Sequence, residues 1–229
     1  SKTATRILPR CWRAPTAPCA PLKEAAARAD VLVMNGLGFE RFLEGVVADA
    51  RGQGIRVVVA SDGVETTPFS LMLSLDFVPD PHVWVDPLRA IRMVENIAGG
   101  LAAADPPHVS EYRANAEAAA AQLRALDQEF REALADVARR DFIAFHPAWG
   151  YFAERYGLRQ VAVIEETPGK EPTAQELARL MAHVRETGVK DLFGEPQFSP
   201  RIVEALARDL DLSVHTVNPE GGDLSPSGY

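Results

Sequence analysis

His82, His146 and Glu195 are the residues whose types and placement could do chemistry. His82 lies in Asp80-Pro81-His82-Val83-Trp84-Val85-Asp86-Pro87, a connection between elements whose backbone Pro81 and Pro87 stiffen. A neutral imidazole on a rigid loop suits a transition metal of intermediate softness. The nearby carboxylate of Asp86 could orient that ring. His146 directly follows the run Asp141-Phe142-Ile143-Ala144-Phe145. That places it at the carboxyl end of an expected strand, where open α/β sheets bind ligands. Glu195 ends the run Leu192-Phe193-Gly194 in the same way. It could be a ligand, a carboxylate that orients a ligand, or a charge at a helix N-terminus; the orienting role ranks first. Taken singly, each histidine could be an ordinary structural residue. Together they could share one divalent cation.

Other chemistry finds little support. There is no Gly-x-Ser-x-Gly nucleophile elbow, no glycine-rich phosphate cradle ending in Lys-Ser or Lys-Thr, and no His-Glu-x-x-His helix. Asn35-Gly36-Leu37-Gly38 lacks the third glycine of a dinucleotide loop. A zinc-dependent hydrolase with Glu165 or Glu166 as base is the weaker, enzymatic alternative; the chain is read as a non-enzyme. His108, His183 and His215 read as structural. Cys11 and Cys19 lie in a Pro- and Arg-rich opening and are either incidental or a disulfide. The formal net charge of −8 over 229 residues argues against nucleic acid and anionic lipid as partners. No apolar run approaches the ~20 residues of a membrane helix, and no signal peptide is visible at the start.

The elements that must position these residues form two β-α lobes. Residues 1–21 are expected to be irregular, broken by Pro9, Pro15, Pro18 and Pro21. The first lobe, 22–106, contains an Ala-rich helix from Leu22 to Ala29, a buried strand Asp30–Met34, a helix carrying Phe39, Phe42, Leu43, Val46 and Val47, and a second strand Ile55–Ala60. Residues 64–80 read as irregular, and a helix runs from Pro87 to about Ala104. From Pro107 to Arg139 no glycine or proline interrupts an apolar pattern stepping by three and four. That predicts one amphipathic helix of roughly nine turns, or ~50 Å, a spine from lobe to lobe or alternatively a coiled-coil arm. The second lobe, 140–229, alternates strands at 141–145, 158–164, 191–194 and 213–217 with helices at 151–156, 173–186 and 200–210. Thr173 and Glu176 spell a capping box.

Four stretches carry a resemblance to the zinc- and manganese-specific solute-binding proteins of ABC transporters, in their ZnuA-like zinc branch. They are Ala29–Glu40, Asp80–Pro87, Phe145–Phe152 and Glu195–Pro200. The resemblance covers residues 22–229 and implies an α/β fold of two lobes with mainly parallel sheets, joined by one long helix, with the metal site at the lobe interface. Carried over by position, His82 and His146 become metal ligands. Manganese-preferring members commonly place Glu where His146 stands, so zinc is favoured, with manganese possible. The resemblance further implies an extracytoplasmic carrier, periplasmic or lipid-anchored at the cell surface, that acts as a monomer and delivers its ion to an ABC permease. Two departures follow. No His occurs in residues 1–21, where the family supplies an early ligand, and its opening strand and helix are not seen. At the far end, Asn218 stands where an acid is expected, with Glu220 and Asp223 as substitutes, and the family's closing helix is missing, so the chain reads as truncated at both ends. A weak-binding or inactive relic of the family is the alternative.

Overall fold

In the computed structural model, residues 20–67, 79–165, 170–198 and 200–221 are described. They divide into two compact units: residues 1–65 with 87–125, and residues 66–86 with 126–229. Cys11 and Cys19, and most of the irregular stretch expected at 64–80, lie outside the described residues.

The first unit is built on two parallel strands, β1 (Val31–Met34) and β2 (Arg56–Val59), paired Val31 to Arg56 through Met34 to Val59. Three helices serve it: α1 (Ala20–Ala27), α2 (Glu44–Gly52) and α3 (Pro87–Ala104). Val46, Val47 and Ala50 of α2 bury the stripe its helical spacing predicts, and Leu22, Ala26, Val58 and Ile91 complete an apolar core. Gly100 lets α3 lie close on the sheet, since a Cβ there would sit 2.1 Å from Val58 Cγ2. Pro87 opens α3 in its first turn, where the missing N–H costs nothing.

Helix α4 (Val109–Leu134) begins among first-unit residues, and from Leu126 onward it belongs to the second. It is shorter than the apolar pattern suggests. Its 26 residues give ~39 Å. At its start Pro106 and Pro107 form a 3₁₀ turn, Pro106–His108, and Asp105 Oδ2 accepts hydrogen bonds from His108 Nδ1 and Tyr112 Oη. At its end the Arg140 guanidinium donates to the Leu134 and Ala135 carbonyls, at 3.3 and 2.9 Å. A cation thus satisfies last-turn carbonyls that a continuing helix would have bonded.

The second unit holds a four-stranded parallel sheet in the order β4-β3-β5-β6. The strands are β3 (Asp141–Ala144), β4 (Arg159–Val163), β5 (Asp191–Gly194) and β6 (Ser213–Thr216). They end within one or two residues of their expected limits, the ordinary fraying of such boundaries. Three helices connect them: α5 (Gly150–Tyr156), α6 (Ala174–Thr187) and α7 (Pro200–Leu210). The capping box at Thr173 forms in full: Glu176 N–H donates to the threonine hydroxyl, and Thr173 N–H donates to the Glu176 carboxylate. Alternate strand residues feed two cores. Ile143, Phe145 and Leu192 meet Val184, Val203 and Leu206 on one face; Phe142 and Ala144 meet Ala148, Trp149 and Ala153 on the other. No helix among the described residues is long and apolar enough to cross a membrane.

Candidate metal centre

Both histidines singled out above belong to the second unit, because residues 66–86 pack there. His82 sits between Asp80 and a 3₁₀ turn, Val83–Val85, that the fully buried Val83 anchors. Asp80 reaches forward two residues. Its Oδ1 accepts from the His82 backbone N–H at 3.0 Å and lies 2.7 Å from His82 Nδ1. A short carboxylate two residues ahead bonds the backbone in this way readily, so the motif fixes main chain and ring at once.

His146 lies just past β3. The sheet continues to its threshold, where Phe145 N–H donates to the Phe193 carbonyl at 3.0 Å. The Phe145 ring stacks on Phe198, 4.4 Å between centroids, and holds the strand end down. Glu195 leaves the end of the neighbouring β5. Adjacent parallel strands bring their carboxyl ends together, and Glu195 Oε1 comes to 2.6 Å from His146 Nδ1. Its other oxygen, Oε2, is buried and takes no hydrogen bond among the described residues.

The two rings come together. Their centroids are 5.3 Å apart at an interplanar angle of 73°. Two imidazoles bound to one tetrahedral zinc, with Zn–N bonds of about 2.0–2.1 Å, place their centroids roughly 5 Å apart. Each ring turns Nδ1 to its own buried carboxylate, so that Nε2 is the nitrogen that would meet a metal. A carboxylate behind a ligating imidazole fixes its tautomer and raises its basicity. Asp80, His82, His146 and Glu195 are each at most 7% exposed. Buried charge of this density is costly without a cation or protons to balance it. Among the described residues no group of three or more His, Cys, Asp or Glu side chains gathers to hold a metal.

Other expectations are revised. The carboxylate bonded to the His82 ring is that of Asp80. Asp86 follows the turn at Val83–Val85, and Arg155 donates to both its oxygens, from Nη2 to Oδ2 at 2.7 Å and from Nε to Oδ1. That carboxylate raises the Arg155 guanidinium above its ordinary pKa. Asp80 was legible only as the first residue of Asp80-Pro81-His82, a spacing suited to such a bond. Glu220 is exposed, but its turn is tied to the His82 loop: Trp84 Nε1 donates to the Pro219 carbonyl at 2.7 Å, and the Trp84 ring lies 5.3 Å from His82. Asn218 shapes that turn, its Oδ1 accepting from Gln197 Nε2 and from Glu220 N–H. Asp223 and Glu166 lie outside the described residues. Glu165 is buried beside the His146 segment, its N–H donating to the Phe145 carbonyl. The remaining histidines make local contacts: His108 with Asp105, His183 Nε2 with the Val161 carbonyl, and His215 with Asp191.

Comparisons with known proteins agree with this arrangement. The family described as ZnuA, zinc-uptake complex component A, periplasmic, matches residues 20–229. The zinc-binding protein AdcA of Streptococcus pyogenes serotype M6 is 35% identical over 143 residues, which are 62% of this chain and 28% of that protein. A putative metal-binding protein of Treponema pallidum is 31% identical over 199 residues, 82% of this chain and 63% of its own. The chain therefore spans under a third of the length of AdcA. Among solved structures, a crystal structure of ZnuA has a TM-score of 0.78 at 34% identity, covering 93% of this chain and 79% of that one. The FpvC protein of Pseudomonas aeruginosa in complex with Mn2+ has a TM-score of 0.80 at 29% identity, covering 93% and 79%. With a family match across 20–229 and parallel β-α units that bring His82 and His146 together, the chain belongs to the ZnuA family of solute-binding proteins.

Proposed function

We propose that this chain binds a divalent transition metal, zinc before manganese, through His82 and His146, and hands it to an ABC permease outside the cytoplasmic membrane. The separation of the two imidazoles, 5.3 Å between centroids, carries the reading. Imidazole nitrogen backed by carboxylate suits zinc, whereas manganese favours oxygen donors. The names of AdcA and ZnuA point to the same ion, while the FpvC complex with Mn2+ shows that the fold is not confined to it. A zinc site of four ligands needs two more. Glu220, in the turn held by Trp84, and Asp223 beyond it are the proposed donors, with water as a further one. The protein works as a monomer, in the periplasm or on a lipid anchor.

A second reading, a weak-binding relic, is favoured by one observation: no third side chain joins the two imidazoles among the described residues. Zinc titration by calorimetry separates the two. The carrier reading expects one-to-one binding that falls at least a hundredfold in His82→Ala and in His146→Ala. Binding that both variants retain would overturn it.

A further inference from the structure

The two rings come from segments more than sixty positions apart in the chain, yet one short helix is tied to both segments. His146 lies four residues ahead of α5 (Gly150–Tyr156), and the intervening Pro147, Ala148 and Trp149 are buried. Tyr151 and Arg155 stand one helical turn apart on α5, on the same face. Tyr151, fully buried, donates its hydroxyl to the Asp80 carbonyl at 2.8 Å and accepts from Thr67 N–H at 3.3 Å. Arg155 grips both oxygens of Asp86, a carboxylate with no exposed surface. Asp80 and Asp86 are the two ends of the loop that carries His82. The helix start also lies close to the first of them: a Cβ added at Gly150 would sit 3.2 Å from Asp80 Oδ2.

We propose that Tyr151 and Arg155 are positioning residues that clamp the His82 loop at both ends to the helix following His146, and so set the spacing of the two imidazoles. This rests on the metal-binding reading above. The sheet fixes His146 and Glu195, whereas the His82 loop is held by its own turn, by the Trp84 bond to Pro219 and, at both ends, by α5. The Arg155–Asp86 pair is a two-point ion pair between a partly buried guanidinium and a fully buried carboxylate, which holds geometry firmly because displacement strands the desolvated Asp86 charge. Metal affinity depends steeply on such preset geometry, and groups behind the ligands typically change it 10–100-fold.

The test compares wild type with Tyr151→Phe, Arg155→Gln, Asp86→Asn and the double variant Arg155→Gln/Asp86→Asn. Arg139→Gln is the control, since Arg139 pairs with Asp191 at the opposite end of β5. Zinc affinity is measured by calorimetry and ligand geometry by the visible bands of bound Co2+, both below the melting temperature of every variant. Tyr151→Phe and Arg155→Gln are expected to weaken zinc about tenfold and to shift the cobalt bands. The double variant should lose no more than Arg155→Gln, and Arg139→Gln should lower the melting temperature alone. Should Arg155→Gln fail to fold, Tyr151→Phe, which removes one hydroxyl, carries the test. Folded clamp variants with wild-type affinity and spectrum would overturn the proposal, as would an equal loss in Arg139→Gln. A wild type that takes up no zinc or cobalt would overturn the metal-binding reading instead. Metal-free crystals of Tyr151→Phe then decide the clamp, which requires the ring separation to widen beyond 5.3 Å.

Discussion

The two units of this chain are built from the same β-α grammar and bury different things. In the first, the buried side chains among the described residues are apolar apart from the hydroxyl of Ser61. In the second, Asp80, His82, Asp86, Asp127, His146, Glu165 and Glu195 are all buried. Burying an ionisable group costs stability unless it is paired. Buried ionisable groups gathered in one unit therefore point to that unit as the place to look for a binding site.

Substitutions can break or sharpen that contrast. The largest effect is expected from Ile91→Ala in the core of the first unit, which should lower unfolding free energy by about 2–4 kcal/mol. Zinc affinity, measured while the protein is folded, should stay unchanged; a parallel loss of binding would dissolve the division of labour. Gly100→Ala, which drives a Cβ into Val58, should cost about 1–3 kcal/mol through overpacking, again without touching zinc. Thr173→Ala removes a helix cap in the second unit, far in function from the site, and should cost about 1 kcal/mol in a denaturant titration.

The smallest effect concerns a charge the second unit keeps for structure. Asp191 accepts from Arg139 Nε and Nη2 at 2.7 and 3.0 Å and meets His215 at 2.9 Å. The Arg139 guanidinium holds its carboxyl below the usual range, burial opposes this, and His215 adds to the lowering. A folded-state pKa below the unfolded one means stability that is present at neutral pH and lost as pH falls through the folded value. Asp191→Asn should thus melt lower than wild type at pH 7, and the difference should begin to shrink only as pH falls to about 4 and vanish below the depressed folded-state value. A difference that persists into acid would show that Asp191 acts by packing rather than charge.

The sequence made some of this legible and hid the rest for identifiable reasons. Continuous apolar runs such as Phe142–Phe145 read directly as buried parallel strands, because both faces of the sheet are covered. The cap at Thr173 and Glu176 is local, three residues apart, and folds as written. Glu195 could be placed behind a ligand because strand ends converge, and it lies against His146. Asp80 lies two residues before His82 and Asp86 four after it, and only the folded loop shows that Asp80 bonds the ring. The end of α4 at Leu134 depends on Arg140, a residue outside the helical pattern whose side chain reaches back to cap it. Arg155, lying on a helix without any distinguishing motif, acquires its meaning from a partner 69 positions away.

The central claim is that two buried imidazoles share one ion, and a crystal grown with zinc tests it most directly. An anomalous-difference map at the zinc absorption edge should show one peak between the rings, about 2.0–2.1 Å from Nε2 of His82 and of His146. A peak bound elsewhere, or no peak with both rings in their present places, would contradict it.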